Sequence, residues 1–80
     1  MKVESYEVVD THKLQVGDVV WYYGSRLRIT SRTVDTTAFF TRFDSRGTVV
    51  AQTELLEGSP EFRNWTIQGN GNAKWVREIH

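Results

Sequence analysis

The sequence has no cysteine, a single proline, no long apolar segment and no net charge. Without cysteine the chain can form neither a disulfide framework nor a thiolate metal site, and it offers no thiol nucleophile. No stretch approaches the ~20 apolar residues of a membrane-spanning helix, and residues 1–7 lack the apolar core of a secretory signal. We therefore expect one domain over residues 1–80, in the reducing cytoplasm and without a membrane partner. A domain this small depends on tight packing or on oligomerisation for its stability, so a homo-oligomer remains an alternative to a monomer.

Positive charge is concentrated in the middle of the chain although the ten basic and ten acidic residues cancel overall. Residues 26–46 contain five arginines against Asp35 and Asp44, which leaves this segment at +3. The overall neutrality argues against a dedicated non-specific binder of nucleic acid or of an anionic membrane. A local basic surface remains compatible with the sequence.

Short segments rich in Val, Ile, Thr and aromatic residues recur between clusters of Gly, Asn, Asp and Ser, and no segment has a sustained helical period. This spacing predicts an all-β fold of six to seven short antiparallel strands. A small SH3-like or OB-like barrel covers the strand edges of such a chain, and a small two-sheet sandwich is the alternative. The predicted strands are 3–9, 18–23, 26–32, 36–43, 48–54, 63–68 and 73–79.

Three glycine-containing segments predict the hairpin turns. Gly24-Ser25 suits a two-residue type II′ loop, and residues 44–47 and 69–72 read as the other turns. Residues 55–62 include the proline and form the longest predicted loop, which has room for one helical turn.

The predicted Gly24-Ser25 loop would create a surface in which aromatic rings face guanidinium groups. In that register Trp21 lies opposite Arg28 and Tyr23 opposite Arg26 on the face away from the core, which is the geometry of cross-strand cation–π pairs. The next predicted strand, 36–43, adds Phe40 and Arg42 to this surface if its opposite face is buried. The predicted binding residues are Trp21, Tyr23, Arg26, Arg28, Phe40 and Arg42.

This aromatic-basic surface has two interpretations. It could hold a protein anchor residue, a nucleotide or a single strand of nucleic acid, since all three use aromatic rings beside arginine. Alternatively, the arginine stems simply shield aromatic rings on a solvated sheet face. The sequence leaves both open.

No catalytic or metal-binding pattern emerges from the remaining polar residues. His12 lies two residues from Asp10, but no serine occupies a nucleophile-elbow context, and His80 is the last residue. The loop carboxylates are not placed in pairs by any pattern. We expect no enzymatic activity, no catalytic residue, no metal and no cofactor.

Two stretches resemble patterns found in short, largely uncharacterised bacteriophage proteins. The first is residues 14–20 followed by 24–29, and the second is residues 65–70 followed by 73–75. The resemblance implies a small β-barrel protein that acts inside the host bacterial cytoplasm. Small non-enzymatic phage proteins often bind and block a host factor, including components of antiviral defence.

These observations give three functional hypotheses. The leading one is a non-enzymatic interaction protein that binds, and could inhibit, a host bacterial protein such as a defence component. The alternative is a barrel that sequesters a nucleotide or another small anionic ligand between arginine forks and an aromatic ring. The third is binding of single-stranded nucleic acid, which the neutral charge disfavours.

Overall fold

The computed structural model describes residues 5–36 and 46–79, and these form one antiparallel sheet with short 3-10 turns at Thr11–Lys13 and Pro60–Phe62. The all-β class is confirmed. In the described residues the strand order is β1-β6-β2-β3-β4-β5. The strands are β1 (Ser5–Asp10), β2 (Val19–Tyr22), β3 (Ser25–Asp35), β4 (Thr48–Glu57), β5 (Thr66–Gly69) and β6 (Lys74–Ile79).

The two edge strands of the sheet, β1 and β5, do not pair with each other within the described residues, so backbone hydrogen bonds do not close a barrel there. They approach each other where β5 ends. A Cβ atom built on Gly69 would lie 2.7 Å from the Thr11 hydroxyl and 2.8 Å from the Ala73 methyl. A glycine at this position therefore allows the end of β5 to meet the residue that follows β1.

The core lies on the inner face of the sheet, where alternate residues of β3 and β4 are buried. Strand alternation sends one side chain in and the next one out, so a half-buried strand needs apolar residues only at every second position. Tyr22, Trp65 and Trp75 pack against this core as a partly buried aromatic cluster. The core residues are Val9, Leu14, Val20, Leu27, Ile29, Ala51, Phe62 and Ile67.

The first hairpin differs from the predicted one by its turn and register. The loop residues are Tyr23 and Gly24, with φ values of 49° and 78°, and Tyr22 pairs with Ser25. Positive φ at both central residues is typical of a type I′ turn, whose twist matches that of the flanking strands. The predicted Gly24-Ser25 type II′ loop is therefore wrong. The shift changes the cross-strand partners and moves Tyr23 into the turn, but Trp21, Arg26 and Arg28 stay on their predicted face.

The segment predicted as a long loop over residues 55–62 is partly strand. Strand β4 continues to Glu57, and the Pro60–Phe62 turn then buries Phe62 against the core. This turn corresponds to the single helical turn for which the sequence left room. Residues 37–43 of the predicted strand 36–43 and residues 44–45 of the predicted turn 44–47 lie outside the described residues.

Candidate binding face

The outer face of β1, β6 and β2 carries apolar side chains exposed to solvent. Val8 pairs with Val76, and Val76 pairs in turn with Trp21 on the other side of β6. Tyr6 is 53% exposed, Val8 68% and Val76 39%. The Tyr6 and Trp21 rings meet edge to face with centroids 6.5 Å apart. We call these four residues, Tyr6, Val8, Trp21 and Val76, the apolar strip.

A buried carboxylate anchors one end of the apolar strip. The Glu78 side chain is fully buried and accepts two hydrogen bonds from Arg26, Nε to Oε2 at 2.6 Å and Nη2 to Oε1 at 2.8 Å. Trp21 Nε1 donates to the same Oε2 at 2.7 Å. Glu78 lies on the same outer face as Val76, opposite Tyr6, and its carboxylate holds the Trp21 ring and the Arg26 guanidinium in place.

This contact determines the electrostatics of Arg26. Its hydrogen bonds to Glu78 raise the pKa of the Arg26 guanidinium above its ordinary value, against a smaller opposing effect of burial. Arg26 therefore stays charged at any physiological pH, and the carboxylate neutralises it locally. The basic group predicted for this face is present but is already engaged.

Arg28 is also paired, in a more open setting. Its Nη1 donates to Glu54 Oε1 at 2.8 Å, and both side chains are about half exposed. Exposed ion pairs contribute little net stability and exchange readily with solvent. Arg28 and Glu54 thus form a polar rim beside the apolar strip.

Three of the six predicted binding residues share this outer face: Trp21, Arg26 and Arg28. Trp21 lies opposite Arg26, so the predicted partnerships of Trp21 with Arg28 and of Tyr23 with Arg26 are wrong. Tyr23 lies in the turn, 84% exposed, with its ring edge-on to Tyr22 at 4.6 Å. Phe40 and Arg42 lie outside the described residues.

The sequence reasoning missed Tyr6, Val8, Val76 and Glu78 as members of this face. The alternation of Tyr6, Glu7 and Val8 was a visible strand pattern, but it does not reveal which neighbour lies beside it. That neighbour is β6, at the other end of the chain. Register between such distant segments depends on tertiary packing and leaves no local signal.

A second charged cluster ties the start and end of the chain together at the inner rim. Arg77 Nε donates to Glu7 at 2.9 Å, Nη2 contacts the same carboxylate, and Nη1 donates to Asp18 at 3.1 Å. The hydrogen bond to Glu7 is the main reason that the pKa of Arg77 is raised, and Asp18 adds to it. Since Arg77 also donates to the Lys13 carbonyl at 3.0 Å, the cluster has a structural role.

The described part of the chain also has a larger and a smaller cleft near β5. The larger, about 390 Å³, includes Thr48, whose buried hydroxyl has no hydrogen-bond partner among the described residues. The smaller, about 300 Å³, lies at the start of β5. The described lining residues carry no charge in either cleft. They are Thr48, Gln68, Gly69, Asn70 and Ala73 in the larger and Thr30, Gln52, Thr53, Asn64 and Thr66 in the smaller.

Comparison with known proteins adds no assignment, because no family model, curated protein or solved structure matches the chain. Within residues 5–36 and 46–79, no group of three or more metal-binding side chains is placed together. No helix in the same part of the chain has the length and apolar character needed to cross a membrane. A functional assignment therefore has to come from the geometry of the face itself.

Proposed function

We propose that the protein is a non-enzymatic interaction protein that binds a protein partner through the apolar strip and its polar rim. The observation that carries this proposal is the row of exposed Tyr6, Val8 and Val76 side chains beside Trp21. Contiguous exposed apolar groups with a polar border are typical of protein contacts. Tyrosine, tryptophan and arginine are the residues most enriched among strong interface contacts.

The internal pairing of the polar groups supports this interpretation. Glu78 has its carboxylate satisfied by Arg26 and Trp21 within the chain. A partner can therefore cover this end of the strip without leaving the Glu78 carboxylate unpaired, which would cost binding free energy. The half-exposed Arg28–Glu54 pair is suited to a border position, where charges affect orientation more than affinity.

The same pairing disfavours the two anionic-ligand alternatives. A nucleotide or a nucleic-acid strand needs guanidinium groups that are free to donate to phosphate. Arg26 gives two donors to a buried carboxylate, and Arg28 faces Glu54. Phosphate would have to displace these carboxylates, so a protein partner is the better match for the described face.

The resemblance to bacteriophage proteins suggests the source of that partner. We propose a host bacterial protein, such as a component of antiviral defence, with inhibition as the consequence of binding. The partner surface should itself be apolar and close to neutral at its centre. This expectation follows from the strip, whose charges lie at one end and are paired.

The proposal is tested by comparing which bacterial proteins co-purify with two matched variants. Val76→Glu places a charge in the middle of the strip, where a buried contact would have to desolvate it. Val16→Glu makes the same change at a residue that is 61% exposed and lies outside the strip. Quantitative mass spectrometry of tagged wild type and both variants, expressed in bacteria, gives the readout.

We expect one stoichiometric protein to be recovered with wild type and with Val16→Glu and to be lost with Val76→Glu. Circular dichroism of the purified variants checks that both remain folded. Equal recovery with both variants would place the contact elsewhere on the molecule. Nucleotide in the eluate without a protein partner would favour the sequestration alternative.

A further inference from the structure

The outer edge of β1 has main-chain groups that point away from the rest of the sheet. Thr11 N donates to the Ala73 carbonyl at 3.1 Å, and this pair continues the β1–β6 register. In an antiparallel ladder, hydrogen-bonded and non-hydrogen-bonded pairs alternate. Consequently Val9 and Glu7 bond to β6, whereas the N–H and C=O groups of Tyr6 and Val8 face outward. Among the described residues β1 pairs with β6 alone.

We propose that a second copy of this chain pairs with that edge, so that the β1 strands of the two copies run antiparallel about a two-fold axis at Val8. Val8 then exchanges both main-chain hydrogen bonds with Val8 of the other copy. Tyr6 lies opposite the second copy's Asp10 on the outer face. This places a tyrosine hydroxyl near a carboxylate and two exposed valines side by side.

Charge selects this register over its neighbours. Moving the two-fold axis to Glu7 keeps the outward main-chain groups aligned but sets Glu7 directly opposite Glu7 of the second copy. Each carboxylate accepts from its own Arg77, and the two Glu7–Arg77 pairs would then bring like charges face to face, which is destabilising. Moving it to Val9 leaves Tyr6 beyond the paired segment. Pairing about Val8 uses Tyr6, Val8 and Asp10 and opposes no like charges.

The other edge strand, β5, is a poorer site for a second copy. It is four residues long, and the side chains that it places on the outer face of the sheet are the polar Thr66 and Gln68. Its one large apolar residue, Ile67, is already 1% exposed. Pairing at β1 brings apolar surface of Val8 and Tyr6 into contact, whereas pairing at β5 buries almost none, so β1 has the larger hydrophobic driving force.

Pairing at the edge leaves the outer face open. The apolar strip of one copy continues directly into that of the second, with the two Val8 side chains at the junction. The dimer would thus present one strip of doubled length to a partner. The inference rests on the β1 edge alone and stands or falls independently of the proposed partner.

Analytical ultracentrifugation from micromolar to near-millimolar protein tests the dimer, with one proline placed in each edge strand. Val8→Pro removes an outward N–H that the dimer uses. Gln68→Pro is the control, because Thr53 N donates to the Trp65 carbonyl and the same alternation turns the Gln68 N–H outward at β5. Proline is tolerated at such edge positions.

We expect wild type to dimerise with rising concentration and Gln68→Pro to match it. Val8→Pro should raise the dimer Kd about 30-fold, or about 2 kcal/mol at 1.4 kcal/mol per tenfold, since two hydrogen bonds are lost. A wild type that is monomeric throughout, or a dimer weakened only by Gln68→Pro, would overturn the proposal.

A second variant covers the case in which Val8→Pro does not fold. Val8→Glu brings two carboxylates together at the two-fold axis, so the dimer should weaken and partly recover in high salt as the repulsion is screened. Circular dichroism confirms which variants are folded. An unchanged dimer Kd in folded Val8→Glu would also overturn the proposal.

Discussion

The outer face of the sheet has an apolar half and a polar half, although both belong to the same six strands of the described chain. Over β1, β6 and β2 it exposes the apolar strip. Over the rest it carries hydroxyl and amide side chains, several of which are paired locally: Ser31 Oγ donates to Gln52 Oε1 at 3.2 Å, and Thr33 Oγ1 to the Val50 carbonyl at 3.4 Å. The residues of this polar half include Ser31, Thr33, Gln52, Thr66 and Gln68.

The polar half demonstrates that the fold does not need apolar residues on this side. An antiparallel sheet with one buried face normally carries polar residues on the other, and β3, β4 and β5 follow that rule there except at the half-buried Val50. Tyr6, Val8 and Val76 depart from it without gaining burial in the monomer. Packing of one chain therefore does not explain them, and the proposed contact with a protein partner would give them a role.

The largest change in stability is expected at the buried end of the apolar strip. Glu78→Ala should lower the free energy of unfolding by about 3 kcal/mol, because it leaves the Trp21 indole N–H and the Arg26 donors facing a vacated, buried site. Urea denaturation followed by tryptophan fluorescence measures the change. Glu78→Gln retains the shape and one acceptor, so its loss should be smaller.

A loss of stability in Glu78→Ala no larger than that of an exposed ion pair, about 1 kcal/mol at most, would contradict this account. It would mean that Arg26 and Trp21 find other partners or water. The strip would then have no fixed anchor beneath it, and the ordered position of the Trp21 ring would need another cause.

Trp21→Phe isolates the indole hydrogen bond from the ring. A phenyl ring retains part of the contact with Tyr6 but cannot donate to Glu78, so we expect a loss of about 1 kcal/mol in the free energy of unfolding. The same urea titration, followed by circular dichroism, gives the value. The matched control is Trp75→Phe, which removes the donor to the buried Thr11 hydroxyl at 2.9 Å, and a similar loss is expected there.

Should Trp21→Phe cost nothing while Trp75→Phe is destabilising, the Glu78 carboxylate would be held without a contribution from the indole N–H. Trp21 would then belong to the strip through its ring surface only.

The fold was more predictable than the site because its signals are local. Alternation and glycine turns suffice for the all-β class and place Val20, Leu27 and Ile29 inside. The hairpin turn was misplaced by one residue because Tyr23 adopts a positive φ that is uncommon for a bulky residue. A pattern rule assigns such a conformation to glycine, and Gly24 stands next to it.

The site could not be predicted from short segments of the sequence, because its contacts join residues that are far apart along the chain. Arg26 was assigned to an open basic surface because nothing near it in the chain is acidic, yet its carboxylate partner Glu78 comes from the last strand. Tyr6 and Val8 likewise belong to a larger apolar surface because β6 places Val76 beside Val8. Because the two ends of the chain pair, the surface predicted to be aromatic and basic is instead an apolar strip, and the arginine beside it is neutralised by Glu78.

The unusual Tyr23 conformation gives a test in which stability should rise. Tyr23→Asn places a residue that tolerates positive φ before Gly24, in the sequence most favoured for a type I′ turn, and should stabilise the fold by about 0.5–1 kcal/mol. Thermal unfolding measures it, with Val16→Asn as a control at another exposed valine. If Tyr23 contacts the partner, the same variant should bind more weakly.

A Tyr23→Asn protein that is less stable than wild type would show that the ring contact with Tyr22 outweighs the backbone strain.

The smallest effect is expected at the polar rim. Arg28→Ala removes an ion pair whose two side chains are 49% and 50% exposed, so the free energy of unfolding should fall by less than about 0.5 kcal/mol. The rate of partner association should change more than stability does, since border charges orient an approaching protein. Urea denaturation gives the first quantity and stopped-flow binding in low and high salt the second. A large loss of stability in Arg28→Ala would instead show that the Arg28–Glu54 pair stabilises the fold. The exposed Glu54 contact and the buried Glu78 contact would then contribute similarly to the free energy of unfolding.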